Sequence, residues 1–169
     1  GNAAVTRQGW TLAGGTLLWQ KKAAHNSPIN TVGRTPGGQL LVSGGADGNI
    51  NIWEASTGKA VDSFATEQGA INSLVVTSDG RHIISGGSDR TVKLWDITTG
   101  QLERTLDRHE SFVNALIISP DGRFLFSASA DGTIRQWQLD TGELLRTLSG
   151  HTSYVNDMIF SRDGRTLST

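Results

Sequence analysis

The sequence predicts an all-β fold made of four copies of one four-stranded unit. Three observations carry this. Marked residues recur every 42 positions: Trp53, Trp95 and Trp137; Asp47, Asp89 and Asp131; Ser43, Ser85 and Ser127; Gly38, Gly80, Gly122 and Gly164; Ile29, Ile71, Val113 and Val155. Glycine is abundant at 21 residues while proline is only 3, which suits many tight turns rather than proline-rich linkers. No stretch of ten or more residues carries a convincing helical period. The 169 residues amount to four units of 42 with one residue over.

The elements can be taken in order from residues 109–148. Val113 to Ser119 reads as a first strand, and Pro120-Asp121-Gly122 as a hairpin turn in which glycine supplies positive φ. Arg123 to Ser129 forms the second strand and Ala130-Asp131-Gly132 the next tight turn. Thr133 to Trp137 alternates polar and apolar residues only in part, but Thr91-Val92-Lys93-Leu94 ahead of Trp95 alternates cleanly, so this is a third strand. Thr141-Gly142 turns again, and Glu143 to Leu148 forms the fourth. Short antiparallel strands at this period point to a β-propeller.

Gly150-His151, Ser119-Pro120-Asp121-Gly122, Ser129-Ala130-Asp131-Gly132 and Trp95-Asp96 resemble the signatures of the WD-repeat (WD40) family, over a span from about Gly15 to the C-terminus. The regular Thr-Gly-Glu-Leu-Leu-Arg-Thr-Leu style of 141–148 is similar to bacterial members. The chain departs from the pattern where Trp53 is followed by Glu54 and Trp137 by Gln138. It departs again where Glu67 stands at the position of His25, His109 and His151. In this family the sequence repeat is offset from the structural blade, and the strand after the Gly-His position is innermost. The resemblance therefore implies blades at 25–64, 67–106 and 109–148. Residues 151–169 would supply the two inner strands of a split blade, and 1–24 its third and outer strands, Val5 to Leu12 and Leu17 to Lys22. Wrapped as a circle the register survives, because Thr169 plus ten positions returns to Trp10 as Ser127 plus ten reaches Trp137; the leftover residue then lies between Gly15 and His25. One propeller unit, 1–169, is expected. It would be a segment of a longer propeller, a strained four-blade ring, or half of an eight-blade ring made from two copies.

Composition narrows the function classes. Lys+Arg is 15 and Asp+Glu 16, a net charge of −1, so no basic excess argues for nucleic acid or an anionic membrane. The absence of Cys removes disulfides and thiolate metal sites. Charged residues are 18% and form no long block, which argues against a disordered tail. The longest apolar stretches, such as Leu74-Val75-Val76 and Ala115 to Ile118, fall far short of the roughly 18 residues of a membrane span. A cytoplasmic protein is expected.

Ser, His and Asp are the residue set of a catalytic triad, but a triad repeated in every unit would mean one active site per blade. The resemblance implies instead a structural hydrogen-bond chain: Asp accepts from His, His meets the Ser hydroxyl, and Ser meets the Trp indole. His25-Ser43-Asp47-Trp53 and His109-Ser127-Asp131-Trp137 are complete sets. Ser85-Asp89-Trp95 lacks its His, with Glu67 there instead, and His151 would meet Thr169 and Trp10 without an Asp. The three histidines at the repeat position, His25, His109 and His151, fall in different blades, too far apart to converge on one metal ion. Gly44-Gly45 and Gly86-Gly87 end strands rather than open helices, so they resemble no phosphate loop. No cofactor is expected.

Binding is the more credible role. By resemblance, the residues flanking the Ile/Val position, and those of the turn between second and third strands, lie where propellers hold partners. They include Asn30, Asn72, Asn114 and Asn156, with Phe112 and Tyr154 on neighbouring blades as interface anchors. Ser88 belongs to the turns, and Arg90 replaces the usual turn Gly. Two structural alternatives stay open: Phe112 and Tyr154 packing on each other, and the Asn side chains bonding to loop backbone. The expectation is a non-catalytic scaffold for a protein or peptide. The alternatives are a self-assembling module that forms a propeller ring as a homodimer through the split blade, and a hydrolytic enzyme.

Overall fold

The computed structural model describes residues 6–10, 17–22 and 24–169. The described residues contain no helix. β1 (Thr6–Trp10) and β2 (Leu17–Lys22) form a two-stranded antiparallel sheet. Three four-stranded sheets follow, each with its strands in chain order. The first holds β3 (Ile29–Arg34), β4 (Leu40–Gly45), β5 (Asn49–Glu54) and β6 (Ala60–Ala65). The second holds β7 (Ile71–Val76), β8 (His82–Gly87), β9 (Val92–Asp96) and β10 (Leu102–Leu106). The third holds β11 (Val113–Ile118), β12 (Phe124–Ser129), β13 (Thr133–Gln138) and β14 (Leu144–Ser149). β15 (Ile159–Phe160) and β16 (Leu167–Ser168) close the order as a second two-stranded sheet. The leftover residue between Gly15 and His25 falls partly outside the described residues.

Each turn is fixed by chemistry that repeats with the sequence. The hairpin between first and second strands closes on a glycine with φ between 69° and 72°, at Gly38, Gly80, Gly122 and Gly164. A hydroxyl just before the turn accepts the backbone N–H just after it: Leu40 to Thr35, His82 to Thr77, Phe124 to Ser119 and Thr166 to Ser161. In the last three units the same hydroxyl donates to an Asp in the turn, which also accepts an N–H, and these bonds hold Asp79, Asp121 and Asp163 below the ordinary carboxylate range.

The core lies in the seams between sheets. Val42, Ile50 and Ile52 of the first sheet bury against Leu74, Ile83 and Trp95 of the second. Ile84 and Val92 of the second bury against Val113, Leu116, Leu125 and Trp137 of the third. Ala115, Ala128 and Ile134 of the third bury against Val155 and Met158. Close approach needs small residues on the second strand. A Cβ on Gly44 would stand 2.6 Å from Ile71 Cγ2, and one on Gly86 2.5 Å from Val113 Cγ1. The equivalent Ala128 packs a methyl against Val155 in the third seam.

Candidate binding face and the polar chains beneath it

Inside the first blade, His25 Nδ1 lies 2.9 Å from Asp47 Oδ1 and its Nε2 lies 2.9 Å from Ser43 Oγ. Trp53 Nε1 donates to the same hydroxyl at 2.9 Å. The third blade repeats this: His109 to Asp131 at 2.8 Å, His109 to Ser127 at 2.7 Å, and Trp137 to Ser127 at 2.9 Å. In the third blade one proton assignment satisfies the chain through His109. The indole donates to Ser, Ser donates to His Nε2, and His Nδ1–H donates to Asp. That requires a neutral imidazole. Burial pushes the His109 pKa below its usual value, and nearby Arg135 adds to this, despite the opposing pull of Asp131. Burial alone would raise Asp131. Hydrogen bonds from Thr133, the Glu110 N–H and His109 outweigh it and hold the carboxyl well below the usual range.

The second blade keeps the chain with a different residue. Glu67, at the histidine's place in the repeat, is exposed in the left-handed region at φ 58°. Gln68 turns inward, fully buried, and its Oε1 accepts from Ser85 Oγ while Trp95 Nε1 donates to that hydroxyl at 2.8 Å. Gln68 Nε2 bonds the Thr91 hydroxyl at 3.2 Å, and Thr91 Oγ1 reaches Asp89 Oδ2 at 2.8 Å. The amide thus does the work of the imidazole. In the fourth unit, His151 Nε2 lies 2.7 Å from Thr169 Oγ1. These polar atoms are occupied with one another in every blade, and no group of His, Cys, Asp and Glu among the described residues could hold a metal ion.

The turns between second and third strands are tied to the start of the inner strand. Ala46, Ser88 and Ala130 donate their N–H groups to Pro28, Ala70 and Phe112 carbonyls. One face of the molecule is therefore built from strand starts and turn tips. The asparagines on this face link blades. Asn30 Nδ2 donates to Ile71 O at 2.9 Å, Asn72 to Val113 O at 3.0 Å and Asn114 to Val155 O at 3.1 Å. A second tie runs beside each of the first two: Leu74 N donates to Thr31 Oγ1 and Leu116 N to Ser73 Oγ. The donating amides of Asn30, Asn72 and Asn114 thus lock neighbouring inner strands. Asn156 is exposed, with its Oδ1 3.3 Å from Asn114 Nδ2. Ser88 is half-buried, and Arg90 is exposed at φ 73°, where Gly48 and Gly132 adopt the same left-handed backbone.

Phe112 is 52% exposed and Tyr154 67%. Together with Ser111, Asn114, Ala130 and Asn156 they line a hollow of about 210 Å³ over the third seam. The ring pairs among the described residues are Phe64 with Trp95 and Phe126 with Phe160, so Phe112 and Tyr154 do not close on each other. A larger groove, about 520 Å³, opens between the second and third blades around Asp79, His82, Glu103, Arg104 and Arg123. Much of its polarity is spent internally. His82 Nε2 meets Glu103 at 3.0 Å, and Arg104 donates to the Asp140 carbonyl at 2.9 Å.

Four-stranded sheets seated side by side by their inner strands, each stiffened by a buried polar chain and presenting its turns on one face, define a β-propeller repeat scaffold. Residues 18–54, 58–96, 100–138 and 142–169 match the WD domain, G-beta repeat family. The chain belongs to the WD40 repeat family, whose members are generally non-catalytic interaction scaffolds. It is also 31% identical over 64 residues to the Periodic tryptophan protein 2 homolog of Dictyostelium discoideum, a match covering 33% of this chain and 7% of that protein. The chain thus spans only a small part of that relative's length.

Proposed function

We propose that the chain binds a protein or peptide segment on the face carrying Phe112 and Tyr154, by rigid presentation and without chemistry. The observation that supports this most is the pair of exposed aromatics around an open hollow of about 210 Å³. An aromatic ring left in water beside a concave, half-polar floor gains by covering itself, and such rings dominate binding energy at protein interfaces. Asn156 offers exposed amide groups at the floor for a partner's backbone. The Asn30, Asn72 and Asn114 amides tie neighbouring blades, and Asn114 does so at the seam of this hollow.

The test is selection of peptides from a displayed library on the wild-type chain, followed by affinity measurement on variants. Phe112→Ala with Tyr154→Ala is expected to weaken the selected peptides by at least about tenfold, on the scale of an interface anchor. Val61→Ser, which alters an exposed apolar residue on β6, is expected to leave them unchanged. Peptides that bind the double variant as well as the wild type would sink the assignment.

A further inference from the structure

The third and fourth strands of each four-stranded blade set one kind of pair side by side. Asn51 opposes Ser63, Lys93 opposes Thr105 and Arg135 opposes Thr147. Residues opposed across antiparallel strands share a face and stand about 5 Å apart. In the first blade the two side chains meet, because Ser63 Oγ donates to Asn51 Oδ1 at 2.5 Å.

In the first two blades the third-strand side chain is spent on the fold. Asn51 Nδ2 donates to the Ala24 carbonyl at 2.5 Å, and Lys93 Nζ to the Thr66 carbonyl at 2.9 Å. Arg135 is different. Its Nε and Nη1 are buried without a hydrogen-bond partner, and no carboxylate of the described residues lies within 4 Å of its guanidinium. Asp131, four residues earlier, is occupied by His109, Thr133 and the Glu110 N–H. The Arg135 charge reaches the buried polar chain: after burial, it is a further cause that lowers the His109 pKa. Buried donors of a cation without acceptors destabilise a fold, so packing does not account for an arginine here. An oxyanion does, because it would accept those donors and balance the charge.

The residue opposite can carry that oxyanion. Thr147 is exposed and lies on β14, the outermost strand of its blade, which pairs on one edge only among the described strands. Arg146 before it is exposed as well. Thr105 has the same Arg-Thr-Leu setting, but there Arg104 is tied to the Asp140 carbonyl and the opposing Lys93 is tied to Thr66.

We propose that Thr147 is a phosphorylation site whose phosphoryl group is received by Arg135. A protein kinase brings a nucleoside triphosphate to the exposed hydroxyl. The Thr147 Oγ–P bond forms as the bond from the γ-phosphorus to its bridging oxygen breaks; the hydroxyl proton passes to the kinase's base, and nucleoside diphosphate leaves. The product carries a charge of about −1.5 to −2 and three acceptor oxygens beside a cation with free donors. Turning the guanidinium towards it breaks no hydrogen bond at Nε or Nη1. The phosphate thus fastens β14 to β13.

Phosphorus NMR titration of the 169-residue chain with genetically encoded phosphothreonine at position 147 reads the pairing. The second phosphate pKa is expected about one unit below its ordinary value near 6. Arg135→Gln is expected to restore the ordinary value and Arg135→Lys to keep part of the shift, each with its β-sheet circular dichroism intact. An ordinary pKa in the wild-type chain, or a lowered one that survives Arg135→Gln, would overturn the pairing. Modification is read by peptide mass after incubating the unmodified chain with ATP and a panel of arginine-directed serine/threonine kinases. Label is expected on Thr147 ahead of Thr105, whose Arg104 is held by the Asp140 carbonyl. Thr147 left unlabelled, or labelled no faster than Thr105, would overturn the site.

Discussion

Ser127→Ala tests whether the polar chain holds a blade together. The Ser127 hydroxyl is fully buried, accepts the Trp137 indole N–H at 2.9 Å and meets His109 Nε2 at 2.7 Å. Alanine fits the space but leaves two polar atoms without a partner, on residues that are 2% and 6% exposed. An orphaned buried group costs about 1–3 kcal/mol, so the variant is expected to lose about 2–4 kcal/mol. For a chain of this size that lowers the melting temperature by roughly 5–15 °C. Urea unfolding followed by tryptophan emission measures it. Ser149→Ala, at an exposed site, serves as control and is expected to fall within about 0.5 kcal/mol of wild type. A Ser127→Ala loss as small as the control's would refute the reasoning, because the indole and imidazole would then be satisfied without the hydroxyl.

Gly86→Ala places a methyl 2.5 Å from Val113 Cγ1 and must push the second and third blades apart, for a loss of about 1–3 kcal/mol by urea unfolding. Stability should also fall with acid in a defined window. The His109 pKa is lowered on folding, mainly by burial, so between the folded value and the ordinary 6.5 the unfolded chain binds a proton that the folded chain does not. Its contribution is therefore complete above 6.5 and is lost as pH falls below it. Asp131 acts in the same direction below its ordinary 3.8. Urea midpoints between about pH 5 and 8 should show the His109 slope, and His109→Gln should flatten it; an unchanged slope in that variant would assign it elsewhere.

The fold was legible because the sequence repeats its punctuation. Trp, Asp, Ser and Gly at one spacing specify a unit, and the unit needs four strands and their turns to satisfy those residues. The polar chains of the first and third blades were equally legible, since His25 and His109 have the right partners at the right offsets. The second blade was harder. Register pointed to Glu67, whose carboxylate has no N–H to donate to Asp89 as the imidazoles of the other blades have. The backbone instead bends through the left-handed region at Glu67, and the neighbour Gln68 fills the gap. The signal was present as an amide next to the vacant place, with both a donor and an acceptor to replace the imidazole. The asparagines were legible as a series but not in role, because their acceptors lie 41 residues away on another blade.

These asparagines explain why the hollow beside Phe112 and Tyr154 can be rigid although it spans two units. A hollow over a seam is only as well defined as the seam. Asn114 fixes Val155, the residue after Tyr154, to the strand that begins next to Phe112. Val155 N in turn donates to the Ser129 carbonyl at 3.0 Å, just before the turn whose Ala130 N–H is tied to Phe112 O. Both aromatics are therefore held by backbone bonds within one residue of their own Cα atoms. Their side chains stay in water while the chain beneath them is locked, so a partner on the proposed face would meet rings with little further backbone freedom to lose. The same bonds cost the hollow most of its free donors. On the proposed face, what remains for recognition is apolar area and the Asn156 side-chain N–H groups, which would favour an inserted side chain over a polar ligand.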